Sequence, residues 1–390
     1  MIPETKYRMA NDLYFLVFFF ELVLFLNFIL LTRRLDGEKR QAAMLQQLKA
    51  NLPLTAILLT GVLLLSTAAD SMDLGSIQNY LETSELSQAS LLNDYSAMLG
   101  LILIVSGAVF RVGLLPVHFQ NRLLLKDATC LQAIMAILLP VAVGLFFLIQ
   151  VVSQVLVVNL SSVEQLLFFL SLVILVSSAG LLLIEKEWKG ILQLIVIQSA
   201  GVFLALFSAV CWKWRHESSA TETVSIQQSM QSYIPDLCII WLAIMGFACF
   251  LDAVGRRRSA LVFPEQLQGF LLDQRLLGIA AVVLLALLMG FPGSAVFQMN
   301  LQAIRCLFEI HQEALKGTMA IVHAGYLGLG IVLIVSSAMV SFTCARLILQ
   351  ISFAKPLTRY RQKPHRGLVL FCYGCVIGVL LFSLRSVVNF

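Results

Sequence analysis

Charged residues are scarce in this sequence: Asp, Glu, Lys and Arg make up 13% of its 390 residues, and 59% are hydrophobic. The mean hydropathy of +0.89 lies well above that of soluble globular domains and excludes that class. Apolar runs of about 20 residues, the length needed to cross a bilayer, recur from residue 13 to residue 387. The sequence therefore predicts an all-α, polytopic membrane protein.

Signatures of soluble enzymes are also missing. The sequence has no phosphate-binding glycine loop, no metal-binding spacing of His and Cys, and no loop that pairs a nucleophile with a base. Any activity must therefore come from residues set into the helices.

Ten transmembrane helices are predicted, and residues 1–390 are expected to form one transmembrane domain. Two of the helices are expected to be broken, at Pro116 and at Pro292-Gly293, because irregular backbone at membrane depth must pack in protein or line a wet cavity. The predicted helices cover residues 13–32, 52–69, 95–119, 128–157, 163–184, 191–212, 234–254, 277–311, 319–352 and 367–387.

The positive charges are distributed by loop. Most Lys and Arg follow the odd-numbered helices, whereas residues 70–94 contain acids but no Lys or Arg, and residues 217–232 are a polar segment interpreted as a solvated outer loop. The positive-inside rule places the basic loops in the cytoplasm and both termini on the outer side of the cell (inner) membrane. The net charge of +5 thus reflects the orientation of the chain in the membrane. We expect the lipid bilayer to be a partner and nucleic acid not to be one.

Two charged residues stand out within the apolar stretches of the predicted helices. Glu21 lies in the first helix and Arg111 in the third. An ionised side chain in a bilayer costs several kcal/mol unless it has a partner or water. An ion path or a structural ion pair is therefore the first hypothesis for these residues.

The order of several segments resembles subunit N of NADH-quinone oxidoreductase, an antiporter-like membrane subunit of respiratory complex I. The segments are the helix with a central acid at residues 10–32, FRVGLLPVHF at 110–119, EKEWKGILQ at 185–193 and MGFPGSAVF at 289–297. The resemblance implies that the ten helices correspond to family helices five to fourteen and that this chain lacks the first four.

The resemblance also implies a proton path along a buried polar axis, built in the family from one Glu and three Lys. The Glu corresponds to Glu21, the first Lys to Arg111, the middle Lys to Val141 and the last to Asn300. Arg stays protonated in proteins and relays protons poorly, and Val and Asn cannot ionise. We therefore expect this copy to be degenerate in proton translocation.

Three further residues are candidates for the path. Arg305 and Glu309 follow Asn300 four residues apart on one helix face, and they either form an outer exit or a plain structural ion pair, which is the favoured interpretation. His118 could relay protons because His titrates near neutrality, although a His satisfied between helices is the commoner case.

The leading interpretation is a membrane subunit of an NADH-quinone oxidoreductase-like complex, without a redox centre or catalytic site of its own. It implies no cofactor in this chain, with NADH, flavin, iron-sulfur and quinone chemistry in partner subunits, and other membrane subunits as neighbours. Two alternatives stay open: an independent cation/proton antiporter, and a purely structural scaffold.

Overall fold

The protein is helical throughout its described part. The computed structural model describes residues 12–32, 37–86, 91–111, 128–155, 160–217, 226–255, 263–315, 320–353 and 366–388. Within these ranges there is no β-strand, only an isolated bridge between Asp12 and Asp73. The helices are α1 Leu13–Thr32, α2 Gly37–Ala69, α3 Leu74–Leu86, α4 Leu91–Arg111, α5 Cys130–Val155, α6 Leu160–Ile184, α7 Trp188–Glu217, α8 Ile226–Val254, α9 Phe270–Asp273, α10 Arg275–Leu288, α11 Ala295–Leu315, α12 Ala320–Phe353 and α13 Arg366–Val388, with a short 3-10 helix at Pro264–Leu267.

The all-α membrane fold is confirmed. Among the described residues, six helical segments are long and apolar enough to cross a membrane: Asn51–Ala69, Cys130–Ser153, Val163–Ile184, Trp188–Trp214, Gln228–Val254 and Gly325–Phe353. Shorter apolar segments lie at the four remaining predicted positions: Leu13–Ile29, Tyr95–Arg111, Arg275–Leu288 and Arg366–Phe382.

Several predicted boundaries were wrong. The second predicted helix begins at Gly37 rather than at residue 52, so its polar, basic start continues into the apolar run. The acidic segment after it contains a helix that the sequence did not predict, Leu74–Leu86. Residues from Ile226 onward in the polar segment 217–232 are helical rather than loop. In each case polar residues are helical, although the pattern of apolar residues alone starts the helix later or does not predict it.

The chain divides into two compact units. The first contains Met1–Asp127, Leu139–Leu170 and Phe207–Met230; the second contains Ala128–Leu138, Ser171–Leu206 and Gln231–Phe390. The single domain over residues 1–390 stays a prediction.

In the first unit, α2 packs along α4 with very close backbone approach. A Cβ built on Gly61 would lie 2.8 Å from the carbonyl oxygen of Gly100, and one on Gly107 would lie 3.1 Å from the Cα of Leu58. Small residues at helix crossings in membranes allow this approach and increase van der Waals contact. Phe20 of α1 stacks on Phe147 with ring centroids 5.1 Å apart.

In the second unit, the predicted break at Pro292-Gly293 is confirmed. Helix α10 ends at Leu288 and α11 begins at Ala295, and the long helix α12 packs against both. The predicted break at Pro116 lies outside the described residues.

The Gly61 contact gives a first prediction. Gly61→Ala should lower the free energy of unfolding by about 1–3 kcal/mol, because the new methyl group must push α2 and α4 apart. Thermal unfolding of the purified protein in detergent measures this change. Gly180→Ala is the matched control, since a Cβ there meets nothing within 4 Å. An equal loss of stability in both variants would contradict the explanation.

Candidate functional site

The first candidate site is an ion pair between Glu21 of α1 and Arg111 at the end of α4. Arg111 Nη2 lies 2.8 Å from Glu21 Oε2, and Arg111 Nε lies 3.1 Å from Oε1 and 3.2 Å from Oε2. The guanidinium thus donates hydrogen bonds to both carboxylate oxygens. Such an interaction is stronger and more directional than a single hydrogen bond. The side chains are 10% (Arg111) and 21% (Glu21) exposed, so the pair is largely enclosed by protein.

A third helix completes the site. Thr55 Oγ1 of α2 donates a hydrogen bond of 3.0 Å to Glu21 Oε1. Glu21 Oε1 therefore accepts from both Arg111 and Thr55, and α1, α2 and α4 meet at one carboxylate. Satisfying the remaining lone pairs in this way is what makes a partly buried ion pair tolerable.

The chemistry of this pair is that of a fixed neutral unit. A guanidinium does not release its proton under ordinary conditions, and it carries donors but no acceptor. Arg111 can orient Glu21 and hold water near it, but it cannot hand on a proton. The pair therefore fits a structural or electrostatic role better than a relay role.

The second candidate site surrounds the helix break in the second unit. Gly290 and Gly293 adopt positive φ angles of +81° and +91°, which let the chain turn sharply beside Pro292. Ser294 then caps α11, because the backbone N–H of Phe297 donates to Ser294 Oγ at 3.2 Å. The break is thus an ordered turn, in which two glycines change the chain direction and Ser294 caps the helix that follows.

Helix α12 satisfies a carbonyl that the break leaves free. Ser341 Oγ lies 2.6 Å from the carbonyl oxygen of Met289 and 2.9 Å from that of Ser337 in its own helix. Because backbone groups at membrane depth have no water to bond to, such a donor stabilises the interrupted helix.

A small cavity of about 30 Å³ lies beside this break. Its polar lining comes from α7, α11 and α12, and its remaining walls are apolar. The polar residues are Gln198, Ser199, Asn300, Ser337 and Ser341. Trp241 Nε1 donates to Ser199 Oγ at 3.1 Å, which holds that hydroxyl in place.

The structure locates most of the sequence-predicted residues. Glu21 and Arg111 form an ion pair, and their place in a proton path stays a prediction. Asn300 is part-buried and lines the cavity. On the same helix Arg305 is exposed and Glu309 is part-buried, and their role as an outer exit stays a prediction. His118 lies outside the described residues.

Sequence reasoning missed several polar residues of these sites. Thr55, Gln198 and Ser341 are single uncharged residues in apolar helices, and no sequence pattern separates them from neutral helix residues. Glu164 was also missed, although it is only 3% exposed near the start of α6 and Ser208 Oγ donates to its backbone carbonyl at 3.1 Å. An acid at the start of an apolar run was the available signal for Glu164.

A long-range cap in the second unit joins two helices that are distant in sequence. The Asp252 carboxylate accepts the backbone N–H groups of Cys130 and Leu131, each at 2.8 Å, and so caps the start of α5. Over the described ranges no group of three or more His, Cys, Asp or Glu is placed to hold a metal ion.

The ion pair gives a second prediction. Glu21→Gln should lower the free energy of unfolding by about 3–5 kcal/mol, because it leaves the Arg111 charge without a counter-charge in a largely enclosed site. The double variant Glu21→Gln/Arg111→Met should recover most of that loss, since no unpaired charge remains. Chemical unfolding in detergent measures both. A double variant as unstable as the single one would show that the charges do not act as a pair.

The break gives a third prediction. Ser341→Ala should cost about 1–3 kcal/mol, because the Met289 carbonyl loses its side-chain donor. Ser336→Ala on the same helix is the control: Ser336 Oγ donates only to the carbonyl of Leu333, one turn back in α12. Thermal unfolding of the two variants side by side measures the difference. Equal stability of the two variants would argue against a special role for Ser341.

Comparisons with known proteins agree on the fold. A chain in a structure described as "Respiratory complex I from Thermus thermophilus with bound Aureothin" matches with a TM-score of 0.66 and 19% identity, covering 96% of this chain and 74% of that chain. A chain of the Mrp complex from Dietzia sp. matches with a TM-score of 0.68 and 13% identity, covering 97% of this chain and 72% of that one. A search of curated protein sequences found no significant match.

The sequence itself matches a family model. Residues 10–328 match the family described as "NADH:quinone oxidoreductase/Mrp antiporter, TM". This range covers most of the chain and includes Glu21, Arg111 and Asn300, whereas Ser337 and Ser341 of the second site lie beyond it. The chain therefore belongs to the NADH:quinone oxidoreductase/Mrp antiporter transmembrane family.

Proposed function

We propose that this protein is a membrane subunit of a complex I-like NADH-quinone oxidoreductase, of the subunit N type, in which proton translocation is degenerate. Family membership and the fold likeness to a chain of respiratory complex I support the assignment to such an assembly. The main observation in support of degenerate proton translocation is that Arg111 donates hydrogen bonds to both carboxylate oxygens of Glu21.

The substitutions along the family's polar axis point the same way. Arg111 stands where the resemblance expects a Lys, whose proton affinity burial can bring toward the working pH. Val141, at the position of the middle Lys, is fully buried and has no ionisable group. Asn300, at the position of the last Lys, is neutral. A chain of titratable groups is thus interrupted at three positions.

In this proposal the protein's work is partly structural. It would pack beside homologous membrane subunits in the cell (inner) membrane, with both termini on the outer side. NADH, flavin, iron-sulfur and quinone chemistry would belong to other subunits, and coupling would reach this chain through contacts and water rearrangement.

A second candidate function is a cation/proton antiporter of the Mrp kind. The broken helix with a polar cavity beside it favours this function, because discontinuous helices form the ion sites of many transporters. The fold likeness to a chain of the Mrp complex is of the same size as that to complex I. A purely structural scaffold is the third reading, consistent with the neutral residues at positions 141 and 300.

Copurification separates these functions. A tagged chain expressed from its native locus should bring down subunits that carry flavin and iron-sulfur centres, detected by mass spectrometry and by the absorption of those centres. Recovery of antiporter subunits without such centres would favour the second candidate. A chain that purifies alone and stable would count against both.

The fourth prediction concerns proton movement. In vesicles reconstituted with the purified assembly, the double variant Glu21→Gln/Arg111→Met should leave the rate of proton movement unchanged, because the fixed pair does not relay protons. A pH-sensitive dye inside the vesicles measures this rate. The double variant keeps the site neutral, so a change cannot be ascribed to an unpaired charge. Loss of proton movement in this variant would contradict the degenerate path.

A further inference from the structure

A second cavity, the α6–α12 cavity, has a volume of about 230 Å³ and lies in the second unit, where α6 ends and α7 begins. Its other walls are the 3-10 helix at Pro264–Leu267 and the last third of α12. It shares no lining residue with the cavity beside the helix break. None of the described residues of the predicted proton path lines it, so it belongs to neither candidate site.

The lining of the α6–α12 cavity contains side chains of both charges. Lys186 and Arg346 are its cations, and Glu185 and Glu265 are its acids. Glu185 is already engaged, because its Oε1 accepts the backbone N–H groups of Lys186 and Glu187 at 3.1 Å. Within the described part of the chain, the side chains of Lys186, Arg346 and Glu265 form no ion pair or hydrogen bond. Two cations and one acid are therefore open to a ligand.

Arg346 lies on an apolar face of α12. Phe342 is one turn before it, and Leu349 and Phe353 are one and two turns after it on the same face. Those three side chains are 64%, 58% and 80% exposed, and Arg346 is exposed as well. This face belongs to the apolar segment Gly325–Phe353, which is long enough to cross a membrane. A cation on such a face is costly unless a counter-charge lies beside it.

The cavity lies near the ends of two such apolar segments, which places it at the depth of the lipid headgroups. Val163–Ile184 ends beside it, and Lys186 follows directly in the connecting segment. Arg346 lies about two turns, or about 10 Å along the axis, before the end of α12, and its long side chain can extend from there to the headgroups. Leu183 and Ile184 are 57% and 74% exposed and continue the lining towards the acyl chains. The cavity thus has a charged end and an apolar end, as a phospholipid has.

The size and the charges of the cavity determine which ligand fits. At about 10–15 Å³ for each water centre, the volume of about 230 Å³ holds about 15–20 water molecules, so a single inorganic ion would fill only a small part of it. Arg and Lys both bind phosphate, and Arg does so with two parallel hydrogen bonds. The carboxylate of Glu265 instead matches a cationic group. A phospholipid head with a phosphate and a primary ammonium satisfies both, whereas that of phosphatidylglycerol leaves Glu265 without a counter-charge.

We propose that the α6–α12 cavity binds one molecule of phosphatidylethanolamine. Lys186 and Arg346 donate to its phosphate, and Glu265 accepts from its ammonium group. The acyl chains extend along Leu183 and Phe342 towards the bilayer. The bound lipid neutralises Arg346 and joins the ends of α6 and α7 to α12. This inference goes beyond the proposed function, since it holds for whichever assembly contains the chain.

Photo-crosslinking with a labelled lipid tests the proposal on the native protein. The purified assembly is reconstituted into phosphatidylcholine vesicles that contain a small fraction of phosphatidylethanolamine with a diazirine in one acyl chain. After illumination, mass spectrometry of peptides should find several-fold more label on residues 182–191 and 342–347, which line the cavity, than on residues 370–381 of α13. That part of α13 reports ordinary contact with lipid, because Leu370, Ile377 and Leu381 are 77%, 58% and 63% exposed.

Competition identifies the headgroup. An excess of unlabelled phosphatidylethanolamine should suppress the label at the cavity. Equal concentrations of phosphatidylglycerol or of inorganic phosphate should not, because neither supplies an ammonium group to Glu265. Glu265→Gln should abolish this preference for phosphatidylethanolamine over phosphatidylglycerol. Glu187→Gln is the matched control and should retain the preference, since Glu187 is exposed and does not line the cavity.

A second pair of variants tests the cations. Lys186→Gln/Arg346→Gln removes both phosphate donors and should lower the label at the cavity to the level found on α13. Arg275→Gln/Arg366→Gln is the matched control, because it removes the same charge from two exposed residues that do not line the cavity. The label at the cavity should stay at its native level in this control.

Two outcomes would overturn the proposal. The first is a label at the cavity no higher than that on α13 in the native protein, which is also the result expected if a neighbouring subunit covers the cavity in place of lipid. This comparison does not require any variant to fold. The second is equal suppression by phosphatidylethanolamine and phosphatidylglycerol, or suppression by inorganic phosphate, which would show a site for anions alone. Because the readout is bound lipid, it can succeed or fail independently of copurification and of proton movement.

Discussion

An ionised acid inside an apolar helix needs a partner, and this requirement organises the first unit. Glu21 lies in the middle of a helix made almost wholly of Leu, Phe, Val and Ile. A carboxylate without a partner would be energetically costly there. Arg111 neutralises it with contacts to both oxygens, and Thr55 adds a third donor. The positions of α1, α2 and α4 are coupled through this one carboxylate.

The packing of the helices supports that contact. Gly61 and Gly100 let α2 and α4 approach closely, so the helices that carry Thr55 and Arg111 are held side by side. The second unit handles polarity in another way. Its broken helix is stabilised by neutral groups, with Ser294 capping one half and Ser341 donating to the carbonyl that ends the other. The charges of Glu21 and Arg111 are thus matched in one unit, and the groups that stabilise the break in the other unit are neutral.

The fold was largely predictable because the long apolar runs that form membrane-spanning helices can be recognised directly in the sequence. The same holds for the break at Pro292, because proline lacks a backbone N–H and the nearby Gly290 and Gly293 tolerate a turn. Helix starts such as Gly37 and Ile226 were placed wrongly, because polar residues carry no apolar signal even when they are helical. The pairing of Glu21 with Arg111 followed from the cost of burying charge.

The neutral polar residues could not be predicted. Thr55, Gln198 and Ser341 owe their roles to groups that are distant in sequence and close in the fold. The sequence alone does not indicate which groups these are. The effect of replacing a titratable Lys by Arg, Val or Asn could be reasoned from chemistry alone. Its outcome for the assembly depends on partner subunits whose sequences are separate from this one.

The contact between the two charges can be measured in the membrane itself. Solid-state NMR of the protein in lipid bilayers, with ¹⁵N-labelled arginine and ¹³C-labelled glutamate, reports the dipolar coupling between the Arg111 guanidinium and the Glu21 carboxylate. The nitrogen–oxygen distances of 2.8–3.2 Å bring the labelled nitrogen and carboxylate carbon close enough for a measurable coupling, which should disappear in Arg111→Met. The absence of any coupling that depends on Arg111 would contradict the ion pair and the neutral site built on it.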